Sequence, residues 1–441
     1  MKKKFKQNKN LIIELFIIFL ITLVYNLIFA ELTNDEVWNY GFASNISNGL
    51  LPYKNFNMVL TPLYPFLGSI FLIIFGKNLV VFHIFNAIMC TIIFYLIKKL
   101  VPSGYYIVYA FLLLFSLPNY NLLCLLLLYL LMYMEDKKLN DYLIGIVLGL
   151  TFLTKQNIGI MLCVPTLFTK DIKRILKRII GFSIPNIIFL IYLLITDSLY
   201  DFINYTILGL SSFASNNILI SIWVTLTIIA IIYLIYVYFK HKDIKAIYLL
   251  SFQVMAFPII DTYHVLIPFI PVLGYFLSNL KLVIKIIKIA FLIFIVTLFF
   301  TSSKEYIKDE IDYPNKTNFY SCRKLDKNTT EYIKLLSKYV SENKDNIFII
   351  SGNAYLLKLE ANISINKYDL LNEGNLGKNG DIKIINEIKD FCNNNKCLFL
   401  ISENEINNSL SQINKNIVNY VKNTYKETDK ISIYTIYGNE E

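Results

Sequence analysis

Apolar runs of membrane-spanning length follow one another from Leu11 to about Phe300, broken only by short polar spots. A hydrocarbon core of ~30 Å takes about 20 helical residues. The pattern predicts spans near 11–30, 79–97, 104–118, 120–134, 141–153, 158–169, 178–196, 217–239, 246–260, 264–280 and 284–300. The shorter ones read as tilted neighbours, broken helices or linings of a cavity. Segment 62–76 is expected to enter only partway, and a full crossing would invert the side of everything after it.

From Thr301 the pattern changes, and Lys, Asn, Asp and Glu interleave with short apolar runs. Asn346–Ser351 and Cys397–Ser402 read as buried strands, and Ile431–Tyr437 alternates as a third. Helical stretches at 329–341, 382–392 and 411–423 precede or separate them. Ser351-Gly352-Asn353 ends a strand but is neither a phosphate loop nor a dinucleotide fingerprint. The expected fold class is a polytopic α-helical membrane protein of about 11–12 transmembrane helices over residues 1–300, with a first exoplasmic loop at 31–61. A small C-terminal α/β soluble domain follows over 301–441, either docking or guiding an acceptor or serving as a structural cap.

Composition agrees: 56% of the 441 residues are hydrophobic and the mean hydropathy is +0.52. The formal charge of +10 is not a nucleic-acid signal. The tail from 301 carries 19 Lys+Arg against 20 Asp+Glu, so the excess belongs to the membrane region, with 23 against 12. There it sits in loops: five Lys in residues 1–10, Lys98-Lys99, Lys137-Lys138, five cations from Lys170 to Arg178, three Lys from Lys240 to Lys245 and three from Lys281 to Lys288. Such loops are expected to be cytoplasmic. The N-terminus is then cytoplasmic, the C-terminal domain exoplasmic, and the protein integral to the plasma membrane. The polar spots at Asp35-Glu36, Asn119–Asn121, Lys155–Asn157, Asp197–Asp201 and Asp261–His264 gather on the outer face. Leu11–Ala30 is too long for a signal-peptide core and reads as a retained span. Cys90, Cys124 and Cys163 are lone residues in apolar runs, while Cys392 and Cys397 either close a small disulfide in an exoplasmic tail or stay unpaired.

Against this background a few residues carry candidate chemistry. A carboxylate beside hydrocarbon is costly unless used or paired. Asp35 is a candidate general base for an attacking hydroxyl, the alternative being a solvated acid that caps an interfacial helix. Glu36 is an alternative base or an orienting partner. Trp38 and Tyr40 either stack on a sugar or anchor the chain at the interface. Lys155 ends the span Leu148–Thr154 and is a candidate point charge for a phosphate, with Gln156 and Asn157 as added donors. Its alternative is snorkelling to the headgroups. The three arginines, Arg174, Arg178 and Arg323, fall in a cytoplasmic loop and in the tail. A phosphate at the outer face is therefore left to Lys, His or backbone N–H groups. In Asp261-Thr262-Tyr263-His264 the imidazole either meets a phosphate or packs between helices. His83 reads as a satisfied core residue. The sequence calls for no cofactor; the alternative is a divalent cation beside the two carboxylates, without a full ligand set.

The acidic pair, then Gly49-Leu-Leu-Pro-Tyr-Lys-Asn-Phe56 and Thr61-Pro-Leu-Tyr-Pro-Phe66, and Phe152-Leu-Thr-Lys-Gln-Asn157 at the end of a span, together resemble the GT-C glycosyltransferases. Within these the chain is most similar to family 39, the branch of protein O-mannosyltransferases and aminoarabinose transferases, over roughly residues 11–300. The resemblance implies a polyprenyl-phosphate-linked sugar as donor and an acceptor hydroxyl on a lipid, glycan or protein at the outer membrane face. It implies Asp35 as the base, with Glu36 beside it, and Lys155 on the donor phosphate. Relatives that carry an arginine and a nearby acid between the fourth and fifth spans differ from this chain, which has Leu117-Pro-Asn-Tyr-Asn121 there. Two other readings stand: a transporter or flippase of a lipid-linked glycan, although no internal repeat is visible, and a non-catalytic scaffold.

Overall fold

The computed structural model describes residues 2–30, 32–101, 104–209, 222–257, 262–278, 319–320, 322–323, 327–369, 371–372, 375–407 and 413–439. The expected last span at 284–300 and the expected boundary at 300/301 lie outside them. The first part of the chain is helical: α1 Lys2–Val24 with a π-turn at Tyr25–Phe29, α2 Asn34–Ser47, α3 Leu63–Phe75, α4 Leu79–Leu100, α5 Tyr105–Leu114, α6 Tyr120–Asp136 and α7 Asp141–Phe152. It continues with α8 Gln156–Met161, α9 Val164–Leu167, α10 Ile172–Ile195, α11 Leu199–Ile203, α12 Ile222–His241, α13 Ile244–Phe252 and α14 Thr262–Ser278. Lys9–Phe29, Leu79–Leu100, Ile172–Ile195 and Val224–His241 are each long and apolar enough to cross a bilayer. The shorter apolar helices pack among them. The expected span 158–169 is two pieces, α8 and α9, and the 62–76 segment is a 13-residue helix about 20 Å long, less than the bilayer core.

Polar caps start these helices where the apolar runs begin. Thr33, Asn78, Asn119, Asn140 and Asp171 each accept a backbone N–H of the following turn, supplying partners that a helix start otherwise lacks. Where α7 meets α10, glycine lets the backbones touch. A Cβ on Gly145 would lie 2.2 Å from the Arg178 carbonyl oxygen, and one on Gly181 2.2 Å from that of Tyr142. Close small-residue crossings of this kind hold membrane helices together by packing. Gly145→Val is expected to cost about 1–3 kcal/mol, read as a lower midpoint of thermal unfolding in detergent, because the obstacle is backbone and cannot turn aside. Beside this crossing Arg178 pairs with Glu135 (2.6 Å) and Asp141 (2.7 Å), and Arg174 with Asp141 (3.1 Å).

The C-terminal part is built on one four-stranded sheet in the order β1-β2-β4-β3, with β1 Ile347–Ile350, β2 Leu398–Ser402, β3 Lys426–Ile431 and β4 Tyr434–Gly438. β1 and β2 are parallel; β4 runs antiparallel to β2 and to β3. The single strand expected over Ile431–Tyr437 is instead the turn and second arm of a hairpin, reversed at Ser432, whose φ is 55°. Alternation divides the sheet's faces. Ile349, Leu400 and Ile436 join the core shared with the membrane helices. Phe348, Ile350, Phe399 and Ile401 pack a second core with helices Gly380–Cys392 and Lys415–Thr424. Cys392 and Cys397 are joined in a disulfide. Helix Ala354–Glu360 and the loop after it lie on α2: Gly41 faces Ile365 and Tyr355, Asn45 donates to the Ile365 carbonyl (2.8 Å), and Phe42 meets the Tyr355 ring edge-on. The tail thus rests directly on the first-loop helix.

Candidate active site

Asp35 is the second residue of α2. Thr33 is the cap, accepting the Glu36 N–H at 3.2 Å, so Asp35 is not spent on capping. A carboxylate in the first turn is favoured by the helix dipole. The Asp35 side chain is half-buried, and its Oδ2 accepts from Asn119 Nδ2 at 2.8 Å. Asn39 braces the same turn by donating to the Asp35 carbonyl (2.7 Å).

Lys155 occupies the turn between α7 and α8. It is only 8% exposed, its amine donates to Asn121 Oδ1 at 3.1 Å, and it lies 5.3 Å from the centre of the Tyr120 ring. The carboxylate and the ammonium are therefore both held from the start of α6, by Asn119 and Asn121, two residues apart. The Cα atoms of residues so spaced are at most about 7 Å apart. The Arg174–Arg178 cluster gathers on Glu135, at the other end of α6, about 22 Å away along the helix. The stretch before α3 also converges on the lysine turn: Thr61 Oγ1 donates to the Phe152 carbonyl (2.7 Å), and the Leu63 N–H to that of Leu153 (2.8 Å). The Thr-Pro and Lys-Gln-Asn motifs are thus neighbours in space.

The remaining candidates divide. The Tyr263 phenol lies beside the Asn121 carboxamide and within Coulombic range of Asp35 and Tyr120. His264, half-buried, stacks edge-on against the Tyr263 ring at 5.6 Å. Asp261 lies outside the described residues. Gln156 departs from the expected donor role: its amide N–H groups are committed to the Val59 and Thr206 carbonyls (3.2 and 3.0 Å). Asn157 Oδ1 accepts the N–H of Ile158, a local turn contact. Tyr40 is no sugar platform; it is 2% exposed and wedged between the Phe82 and Phe319 rings, and burial pushes its phenol above the usual range. Trp38 packs half-buried against the same core.

Glu36 is the clearest correction. It is fully buried. Its Oε1 meets His83 Nε2 at 2.8 Å and its Oε2 meets Arg323 Nη2 at 2.9 Å. Both oxygens are engaged, so it is not placed as a second base. Arg323, a tail residue, is buried beside the first loop. Among the described residues no group of three His, Cys, Asp or Glu stands together. Asn119, Tyr120 and Asn121 are site residues that the sequence marks only as a polar turn on the outer face.

No family model matches the chain, and no curated protein matches it. Two solved structures of ArnT from Cupriavidus metallidurans share its fold along nearly the whole length. The one bound to undecaprenyl phosphate has a TM-score of 0.57 at 9% identity, covering 99% of this chain and 98% of that one. The apo structure has a TM-score of 0.58 at 10% identity, covering 98% of each.

Proposed function

We propose that this chain is a membrane glycosyltransferase that moves a sugar from a polyprenyl-phosphate donor to an acceptor hydroxyl at the outer face of the membrane. One observation carries the reading: the Asp35 carboxylate and the Lys155 ammonium are held by Asn119 and Asn121 at a single helix start. The fold shared with ArnT, which has been captured with undecaprenyl phosphate, supports the donor class. In the proposed step Asp35 takes the proton of the acceptor hydroxyl as its oxygen attacks the anomeric carbon. The bond from that carbon to the phosphate oxygen breaks, the electron pair leaves with the polyprenyl phosphate, and Lys155 meets the charge that develops there. Attack opposite the leaving group inverts the anomeric centre.

The sidedness belongs to this proposal. The site and the Arg178–Glu135 cluster lie at opposite ends of α6, and the Lys-rich connections accompany the cluster. That favours a cytoplasmic cluster and an exoplasmic site. The Cys392–Cys397 disulfide supports an exoplasmic tail.

The test is to incubate the purified protein in nanodiscs with a bacterial lipid extract containing polyprenyl-phosphate sugars and follow free polyprenyl phosphate by mass spectrometry. Release by the wild-type protein, raised by added acceptor glycan or lipid, is the expected result. A flippase would move the lipid-linked sugar and release none, and that outcome would overturn the transferase reading.

A further inference from the structure

Arg323 lies 287 positions from Glu36 in the chain, yet their side chains meet at 2.9 Å with neither exposed. The same guanidinium donates through Nη1 to the Asn26 carbonyl at the end of the first span. Asn26 in turn is locked to Ser116. Its Nδ2 donates to the Ser116 carbonyl and its Oδ1 accepts the Ser116 hydroxyl, both at 2.8 Å, and Asn86 Nδ2 donates to that same carbonyl. Ser116 stands three residues before Asn119, the partner of Asp35, and Glu36 is the residue after Asp35. Both supports of the Asp35 carboxylate, the start of α2 and the turn before α6, therefore run back to one buried cation. That cation comes from the C-terminal side of the chain. Removing one partner of a buried ion pair is strongly destabilising, because the other charge is left uncompensated.

We infer that Arg323 is a positioning residue for Asp35, so that the tail must dock for the base to be in place. The inference rests on the transferase reading for its catalytic meaning. The clamp itself is a structural claim that can be measured without turnover. With Arg323 neutralised, Glu36 has lost its cation and keeps His83, while Thr33, Asn39 and Asn119 still hold the start of α2. The first turn of α2 then opens more often, while helices away from the clamp do not.

The experiment is hydrogen–deuterium exchange on the full-length protein in nanodiscs, comparing wild type, R323Q, R323K and K383A. Lys383, elsewhere on the tail, makes an exposed contact to Asp201 of α11, so K383A serves as the control for a tail contact that does not reach Glu36. R323Q is expected to speed exchange across 34–40 about tenfold, leaving the α7–α10 crossing unchanged. R323K keeps the charge but cannot serve both acceptors with a planar fork, and is expected to fall between. Should R323Q not fold, R323K carries the comparison. Exchange at 34–40 that stays within about twofold of wild type, or that rises equally in every helix, overturns the inference. In turnover, R323Q is expected to lower kcat about tenfold with the donor KM held within about twofold. A merely structural lesion would reduce the active fraction and leave per-active-site kcat intact. If the wild-type protein releases no polyprenyl phosphate, the transferase reading falls, and the exchange result still decides the clamp.

Discussion

Asp35→Asn is expected to lower kcat for sugar transfer by about 10²–10⁴-fold, the range that a positioned general base contributes. Asparagine has nearly the same shape, and its side-chain oxygen can still accept from Asn119 Nδ2, which now reaches Asp35 at 2.8 Å. The helix start and its tail contacts run through Thr33 and Glu36 and are untouched. Only the ability to take a proton is lost. Undecaprenyl phosphate should bind the variant as well as it binds wild type, or better, since a negative charge near the phosphate has gone. The check is a paired measurement on purified protein: steady-state transfer, and the affinity for undecaprenyl phosphate. Transfer within a few-fold of wild type would remove Asp35 from the chemistry and leave it as a helix-start acid.

What could be read from the chain, and what could not, follows from the range of the interactions. Apolar runs are local, and most expected spans are helices close to where the pattern put them. Asp35 and Lys155 stood out because a charge beside hydrocarbon is visible without knowing the fold. The partner of Glu36 was invisible, because a pairing across 287 positions leaves no periodic trace. Glu36 consequently looked like a twin of Asp35 when it is a buried anchor. Asn119 and Asn121 were masked by composition: in a chain so rich in Asn, one more in a turn draws no attention. Strand β3 reads Lys-Glu-Thr-Asp-Lys-Ile and is almost wholly exposed, as charged sheet edges are, so it lacked the alternation that marks strands. The hairpin turn at Ser432-Ile433 carries no Asn-Gly or Asp-Gly signal, which is why two strands looked like one.

Lys155→Met is expected to weaken undecaprenyl phosphate binding by about 10–150-fold, corresponding to the ~1.5–3 kcal/mol of a hydrogen bond to a charged group. Methionine retains the length of the stem, so the packing of a side chain that is 8% exposed is kept while the charge is removed. The effect on turnover should exceed the effect on binding. A sugar phosphodiester carries one negative charge, and the departing polyprenyl phosphate gains a second as the glycosidic bond breaks. The ammonium is therefore worth more in the transition state than in the bound donor, and interactions of that kind raise kcat rather than only lowering KM. Lys155→Arg should not rescue fully. The guanidinium is broader and differently hydrated, in a turn already filled by Tyr120 and Asn121. Binding measured with undecaprenyl phosphate and kcat/KM measured with the lipid-linked sugar separate the possibilities. A loss confined to affinity would make Lys155 a uniform anchor for the phosphate. No loss in either would return it to a lysine that only reaches for the headgroups, and the convergence at the start of α6 would then have no catalytic meaning.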